Sequence, residues 1–169
     1  MTTQSASLDR KPRIVTGLSA PVLVGGTILL STGFQLIVFG IGMFVASQAE
    51  IDRDEGVRAS LVSISVVAAV SLVIAFAVSL SCRGVASRAA IGAVALGALA
   101  VISLPAFWAG APAIFGANAA WLGGLTIGST PQRGAARGFA IVGLVVAVLN
   151  AVAIPVLTGG SLIMHGYAG

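Results

Sequence analysis

The stretch AAIGAVALGALAVISLPAFWAGAPAIFGANAAWLGGLTIG, residues 89–128, runs for 40 residues without a charge. As one helix rising ~1.5 Å per residue it would reach about 60 Å, twice the ~30 Å hydrocarbon layer of a bilayer. A single helix cannot occupy that length, so the stretch must fold back. Pro105 and Pro112 bracket FWAGA, and prolines with a glycine between them end one helix and start another. Trp108 in that turn suits a membrane–water boundary, where an indole is both buried and hydrogen-bonded. The reading places one span at 86–104 and the next at 110–128.

Composition agrees with a lipid setting. Of 169 residues, 57% are hydrophobic and only 8% charged, against about a quarter charged in soluble domains. The net charge of +4 does not imply a nucleic-acid partner, because the basic residues stand singly between apolar runs, where they meet lipid head groups. Nucleic acid is excluded as a partner, and membrane lipids are expected.

Working outward, residues 1–20 form a polar, disordered, cytoplasmic tail. Pro21 to Ala46 make a first span, too long for the ~7–15-residue apolar core of a signal peptide. Residues 47–58 form an acidic outer loop, and Ala59 to Ser81 a second span, completing a two-helix hairpin over 21–81. A three-helix module covers 86–157, its last span at Gly138–Leu157, and 158–169 are a tail. The fold class is all-α: a polytopic membrane helix bundle with five transmembrane helices, four being the alternative.

The arginines decide between five and four. With the N-terminus inside and five spans, Arg10, Lys11, Arg13, Arg83, Arg88, Arg133 and Arg137 lie inside and only Arg53 and Arg58 outside, seven against two. One crossing by 89–128 would make the split five against four. The positive-inside rule favours five spans and assigns Arg83, Arg88, Arg133 and Arg137 to topology. A bacterial inner membrane, with a cytoplasmic N-terminus, is the expected location.

Candidate chemistry is sparse. No Asp, Glu, Lys, Arg or His lies in the apolar interior of any span, which argues against a proton-coupled transporter. His165 has no carboxylate or cysteine neighbour in sequence, Cys82 is the lone thiol, and no metal, cofactor or catalytic residue is expected. The acidic loop, with Glu50, Asp52, Asp54 and Glu55, fails the EF-hand pattern because Val57 stands where glycine belongs. It reads as a solvated loop or a docking epitope. Gln35, Asn118 and Asn150 are amides at depth, expected to hydrogen-bond between helices. Gly116, Ala120, Gly124 and Gly128 recur every four residues, as do Gly143 and Ala147, and small residues on one helix face allow close helix packing.

From Ala89 onward the chain resembles a bacterial membrane domain of unknown function, common in actinobacteria. The resemblance rests on GAPAIFGANAAWL (110–122) and, across a basic turn, ARGFAIVGLVV (136–146). It implies a hairpin followed by a helix and brings no activity with it. Many members carry a histidine where Ala117 stands here, so no role of that histidine carries over.

The functional expectation is a non-enzymatic accessory or assembly subunit of a larger membrane complex, in envelope or lipid transport, with other integral membrane subunits as partners. The alternative is a small transporter or channel for a neutral or lipidic solute, in which the three amides would converge on one cavity.

Overall fold

The computed structural model describes residues 16–45 and 55–165. Their order is α1 (Ala20–Ile28), a π turn (Leu29–Gly33), α2 (Phe34–Val45), α3 (Glu55–Cys82), α4 (Ala86–Ile102), a 3-10 segment (Leu104–Ala109), α5 (Ala111–Leu122) and α6 (Gly134–His165). Among the described residues the protein is all-helical. Three helical stretches are long and apolar enough to cross a membrane: Ala20–Ile41, Ala59–Cys82 and Gly134–Gly160. A shorter apolar helix, Ala86–Ile102, accompanies them.

The packing is sorted by side-chain size. On α3, Ala68, Ser71, Ala75 and Ser79 are buried, while Val62, Val66, Val70 and Val73 are exposed. On α6, Ala136, Ala140, Ala147, Ala151 and Ile154 face inward, and Val142, Val145, Leu149, Val152 and Val156 face outward. A helix in water buries its bulk. Here alanine, glycine and serine make most of the contacts on these two helices, with Ile64 and Ile154 the large side chains turned inward, and most of the bulky aliphatic side chains are left to the surroundings, as suits helices that associate in lipid by close approach. The small-residue stripe on α3 thus closes the bundle internally.

Central to this arrangement is α5. Every residue from Ala111 to Ala120, and Leu122, is buried, because α1, α3, α4 and α6 all pack around it. It runs antiparallel to α4: a Cβ on Gly92 would meet Leu122. It is also antiparallel to α6, where Gly116 faces Gly143 and Ala147, and Gly123 faces Ala140. At one end the Thr16 N–H donates to Leu125 O (2.8 Å), and at the other Thr32 Oγ1 donates to Ala109 O (3.0 Å), so α1 also opposes α5.

The chain reverses where the two prolines predict. Pro105 sits in the first turn of the 3-10 segment and Pro112 in the first turn of α5, positions where a missing N–H removes no helical bond. Gly110 joins them at φ +77°, a left-handed conformation open to glycine. Residues 89–128 are therefore not one continuous helix.

The span expected at 110–128 is corrected. Helix α5 stops at Leu122 after 12 residues, about 18 Å at ~1.5 Å per residue, well short of ~30 Å of hydrocarbon. Gly124 and Gly128 lie beyond it at φ +80° and +78°, so they are turn residues and the four-residue stripe is helical only at Gly116 and Ala120. The reason is local. The Gly123–Gly124 pair favours chain exit, and the following loop finds backbone partners elsewhere: Ile127 N–H to Leu18 O (2.9 Å) and Gln132 N–H to Gly123 O (3.2 Å).

Other boundaries shift as well. Helix α6 extends beyond the expected Gly138–Leu157 on both sides, passing through Pro155 and continuing to His165, where a tail was expected. Glu55 opens α3 and so belongs to a helix, not to a loop. Glu50, Asp52, Asp54 and residues 1–15 lie outside the described residues.

Candidate functional site

Polar groups gather at two places: the tip of the α4–α5 hairpin and the arginine-bearing end of the bundle. The tip is built by the π turn in the first long helix. One extra residue per turn re-aims the side chains of Leu29–Gly33. Ser31 and Thr32, both buried, then reach the hairpin: Ser31 Oγ donates back to Thr27 O (2.6 Å) and Thr32 Oγ1 donates to Ala109 O (3.0 Å). Gly110 is pressed against the same two hydroxyls, since a Cβ there would lie 3.0 Å from Ser31 Oγ and against Thr32 Oγ1.

From the other side Asn150 Nδ2 donates to Phe107 O (3.0 Å). Two turn carbonyls, Ala109 O and Phe107 O (the latter also accepting from Gly110 N–H at 3.1 Å), thereby receive side-chain donors from two different long helices. Such partners are what allow non-helical backbone to exist away from water. Nine residues of the first long apolar stretch (33–41) and ten of α6 (151–160) continue past the tip within the stretches long and apolar enough to cross a membrane. That is roughly 13–15 Å of helix beyond it.

Two acceptors here have no partner: Gln35 Oε1 and Asn150 Oδ1 are buried without a hydrogen bond. Each such group costs about 1–3 kcal/mol relative to a satisfied one. Asn118 differs. Its Nδ2 donates to Ile114 O (2.8 Å) and its Oδ1 accepts from Ser79 Oγ (2.9 Å), fully buried between α3 and α5. Eleven residues separate Phe107 from Asn118 along the hairpin. The three amides therefore do not converge: Asn150 serves the tip and Asn118 lies more than two turns below it.

At the opposite end, Arg83 and Arg88 flank the α3–α4 turn, while Arg133 and Arg137 flank the start of α6. All four are gathered where Thr16 and Leu18 hold the 123–132 loop. From Gly56 to the last residue the sequence has no Asp or Glu, so nothing from most of α3 onward supplies a carboxylate to this end. Neither α4 nor α6 has an acidic residue in its first turn, where the helix dipole favours negative charge.

A cleft of about 420 Å³ opens on this end, lined by Arg83, Trp121, Leu122, Ser129, Thr130 and Gln132 with Gly84, Ala86, Ala89 and Gly128. Its loop wall is fixed by Thr126 Oγ1 donating to Ser129 Oγ (3.1 Å), Ser129 Oγ donating to Thr126 O (2.6 Å) and Gln132 Nε2 donating to Thr130 O (3.3 Å). Gly124 locks the loop's start, because a Cβ there would collide with Thr130 and Pro131.

Sequence reading singles out Gln35, Asn118 and Asn150 but misses Thr32, Gly110 and Gln132. The cluster Thr27, Ser31, Thr32, three hydroxyls in an otherwise apolar run, was the available signal for the tip. Nothing local marks Gln132 as a cleft wall. The small residues Gly116, Ala120, Gly143 and Ala147 all sit in the α5 surroundings as closely packed positions. No protein-family model, curated protein or solved structure matches the chain, so the resemblance of 110–146 adds no relative from which a role could be drawn.

Proposed function

We propose that this protein is a non-enzymatic accessory subunit of a larger membrane complex, with its arginine-bearing end in the cytoplasm and α4–α5 forming a re-entrant hairpin. The observation that carries the reading is how the polar groups at depth are used. Thr32, Asn150, Ser79 and Asn118 hold a short hairpin inside a ring of longer helices, and the amides are spread over two levels rather than around one cavity. A rigid insert of this kind supplies a shaped framework. Three long helices then present bare aliphatic faces, Val62, Val66, Val70 and Val73 on α3 being the most continuous, to lipid or to neighbouring subunits.

The sidedness follows from the positive-inside rule, applied to Arg83, Arg88, Arg133 and Arg137 at one end. A re-entrant hairpin returns its chain to the side it entered, so it satisfies the rule as well as two full crossings do. Envelope or lipid transport remains the expected pathway for the complex.

The second reading, a small transporter or channel for a neutral or lipidic solute, draws on the unpartnered Gln35 Oε1 and Asn150 Oδ1. Site-specific photo-crosslinking from Val66 and Val73 in native membranes separates the two. A discrete adduct with one integral membrane protein, co-migrating in a native gel, is the accessory-subunit outcome. Crosslinks to lipid alone, with solute flux in reconstituted vesicles lost on Asn150→Leu, would replace it with the transporter.

A further inference from the structure

We propose that the cleft between the α3–α4 turn and the 128–132 loop is a binding site for a phosphate-bearing anion, its natural source being the headgroup of an anionic phospholipid. The proposal stands on the cavity and its lining rather than on the sidedness of the protein. The cleft, about 420 Å³, falls within the usual range of ligand pockets. Arg83 provides a guanidinium suited to paired hydrogen bonds with phosphate oxygens, and Thr130 and Gln132 add polar groups to the same cavity.

Charge makes the cleft selective for an anion. Among the described residues none at this end is an Asp or Glu, the sequence from Gly56 onward containing neither. The first turn of α4 contributes too: Ala86 and Ala89 line the cleft, and the N-cap Val85 has no side chain able to satisfy that turn. An exposed helix N-terminus beside an arginine attracts phosphate oxygens.

Position and shape favour a lipid over a free ion. The cleft lies level with the ends of two membrane-crossing stretches, Cys82 and Gly134. The lining combines polar side chains, Arg83, Thr130 and Gln132, with apolar ones, Trp121, Leu122 and Ala89. A phosphoglycerol group with the first acyl carbons uses both kinds, whereas inorganic phosphate leaves the apolar residues unused. The hydrogen bonds that hold Ser129 and Gln132 mean the wall exists before the ligand arrives, which limits the ordering cost of binding.

The test uses the full chain in nanodiscs and in mild detergent. Native mass spectrometry should find one phosphatidylglycerol retained per protein, in preference to phosphatidylcholine. Arg83→Gln should weaken retention at least about tenfold, as expected for a direct charge-assisted contact. Arg88→Gln, equal in charge change but outside the cleft, should weaken it by less than about fivefold, the general effect of one basic residue near a surface. Ala86→Leu, which fills the cleft and leaves the charge intact, should also abolish retention.

Calorimetry with inorganic phosphate on delipidated protein separates the sources. Phosphate binding that depends on Arg83, without retained lipid, assigns the site to a soluble phosphate. Equal losses in Arg83→Gln and Arg88→Gln, or no preference for the anionic lipid and no phosphate binding, would overturn the proposal.

Discussion

Gly116 is among the most tightly packed positions, and one methyl group there should do severe damage. A Cβ added there would fall on the Gly143 carbonyl, 2.9 Å from its carbon and 3.1 Å from the Ala147 Cβ, with the carbonyl oxygen closer still. Restoring ordinary contact near ~3.5 Å requires α5 and α6 to part by more than an ångström, and a gap of even ~0.5–1 Å forfeits a quarter to a half of the dispersion energy of each lining contact. Helix α5 is enclosed by α1, α3, α4 and α6 and cannot retreat. Overpacking usually costs about 1–3 kcal/mol, and the enclosed position places Gly116→Ala at the upper end, near 3 kcal/mol. Gly143→Ala is the graded comparison: its nearest contacts would be 3.0 Å to Ala119 Cβ and 3.1 Å to Gly116 O. A shift of a few tenths of an ångström suffices there, for about 1 kcal/mol. Gly138→Ala meets nothing within 4 Å and should stabilise α6 slightly, alanine exceeding glycine in helix propensity by ~0.8–1.0 kcal/mol. Unfolding in mixed micelles, read by exposure of the half-buried Cys82 thiol, measures all three. Gly116→Ala within about 0.5 kcal/mol of the parent, or equal to Gly138→Ala, would refute the claim that backbone contact between α5 and α6 organises the bundle.

Four further outcomes rest on the contacts and turns described above. Asn118→Leu should destabilise by about 1–3 kcal/mol, because it strands Ser79 Oγ in a buried site. Asn150→Leu should be within about 1 kcal/mol of neutral: it removes the Phe107 bond but also the unpartnered Oδ1, and the contrast is read in the same unfolding assay. Gly110→Ala should cost more than about 2 kcal/mol, combining left-handed strain of ~1–2 kcal/mol with displacement of the Thr32 hydroxyl, and double substitution with Thr32→Ala should recover the steric part. In a Cys82→Ser background, a cysteine at Thr130 should react with a membrane-impermeant maleimide from the arginine-bearing side, whereas one at Phe107 should react from neither side. Rapid labelling of Phe107→Cys from the far side would make α4 and α5 full crossings.

Much of the fold was legible because lipid simplifies the problem. Apolar runs longer than the hydrocarbon layer must be helices, and 40 uncharged residues carrying two prolines had to reverse. Those facts follow from backbone hydrogen bonding and length alone, and the reversal at 103–110 lies where they put it. The gathering of Arg83, Arg88, Arg133 and Arg137 at one end was legible for the same reason, since each follows or precedes an apolar run.

What the sequence did not determine was how far each run stays helical and which neighbour its small residues meet. The repeat Gly116, Ala120, Gly124, Gly128 is indistinguishable in sequence from a continuous helix face. The Gly123–Gly124 pair permits an exit after Leu122, and backbone partners at Thr16 and Leu18, more than a hundred residues away, hold the loop that follows. Asn118 and Asn150 look alike in a hydropathy plot, yet one is satisfied on both atoms and the other on one, because Ser79 opposes the first and a turn carbonyl the second. Periodicity and length set helices and their order in this protein. The depth of the hairpin, the pairing of its polar groups and the cleft beside Arg83 arise from contacts between distant segments, whose energies no local pattern encodes.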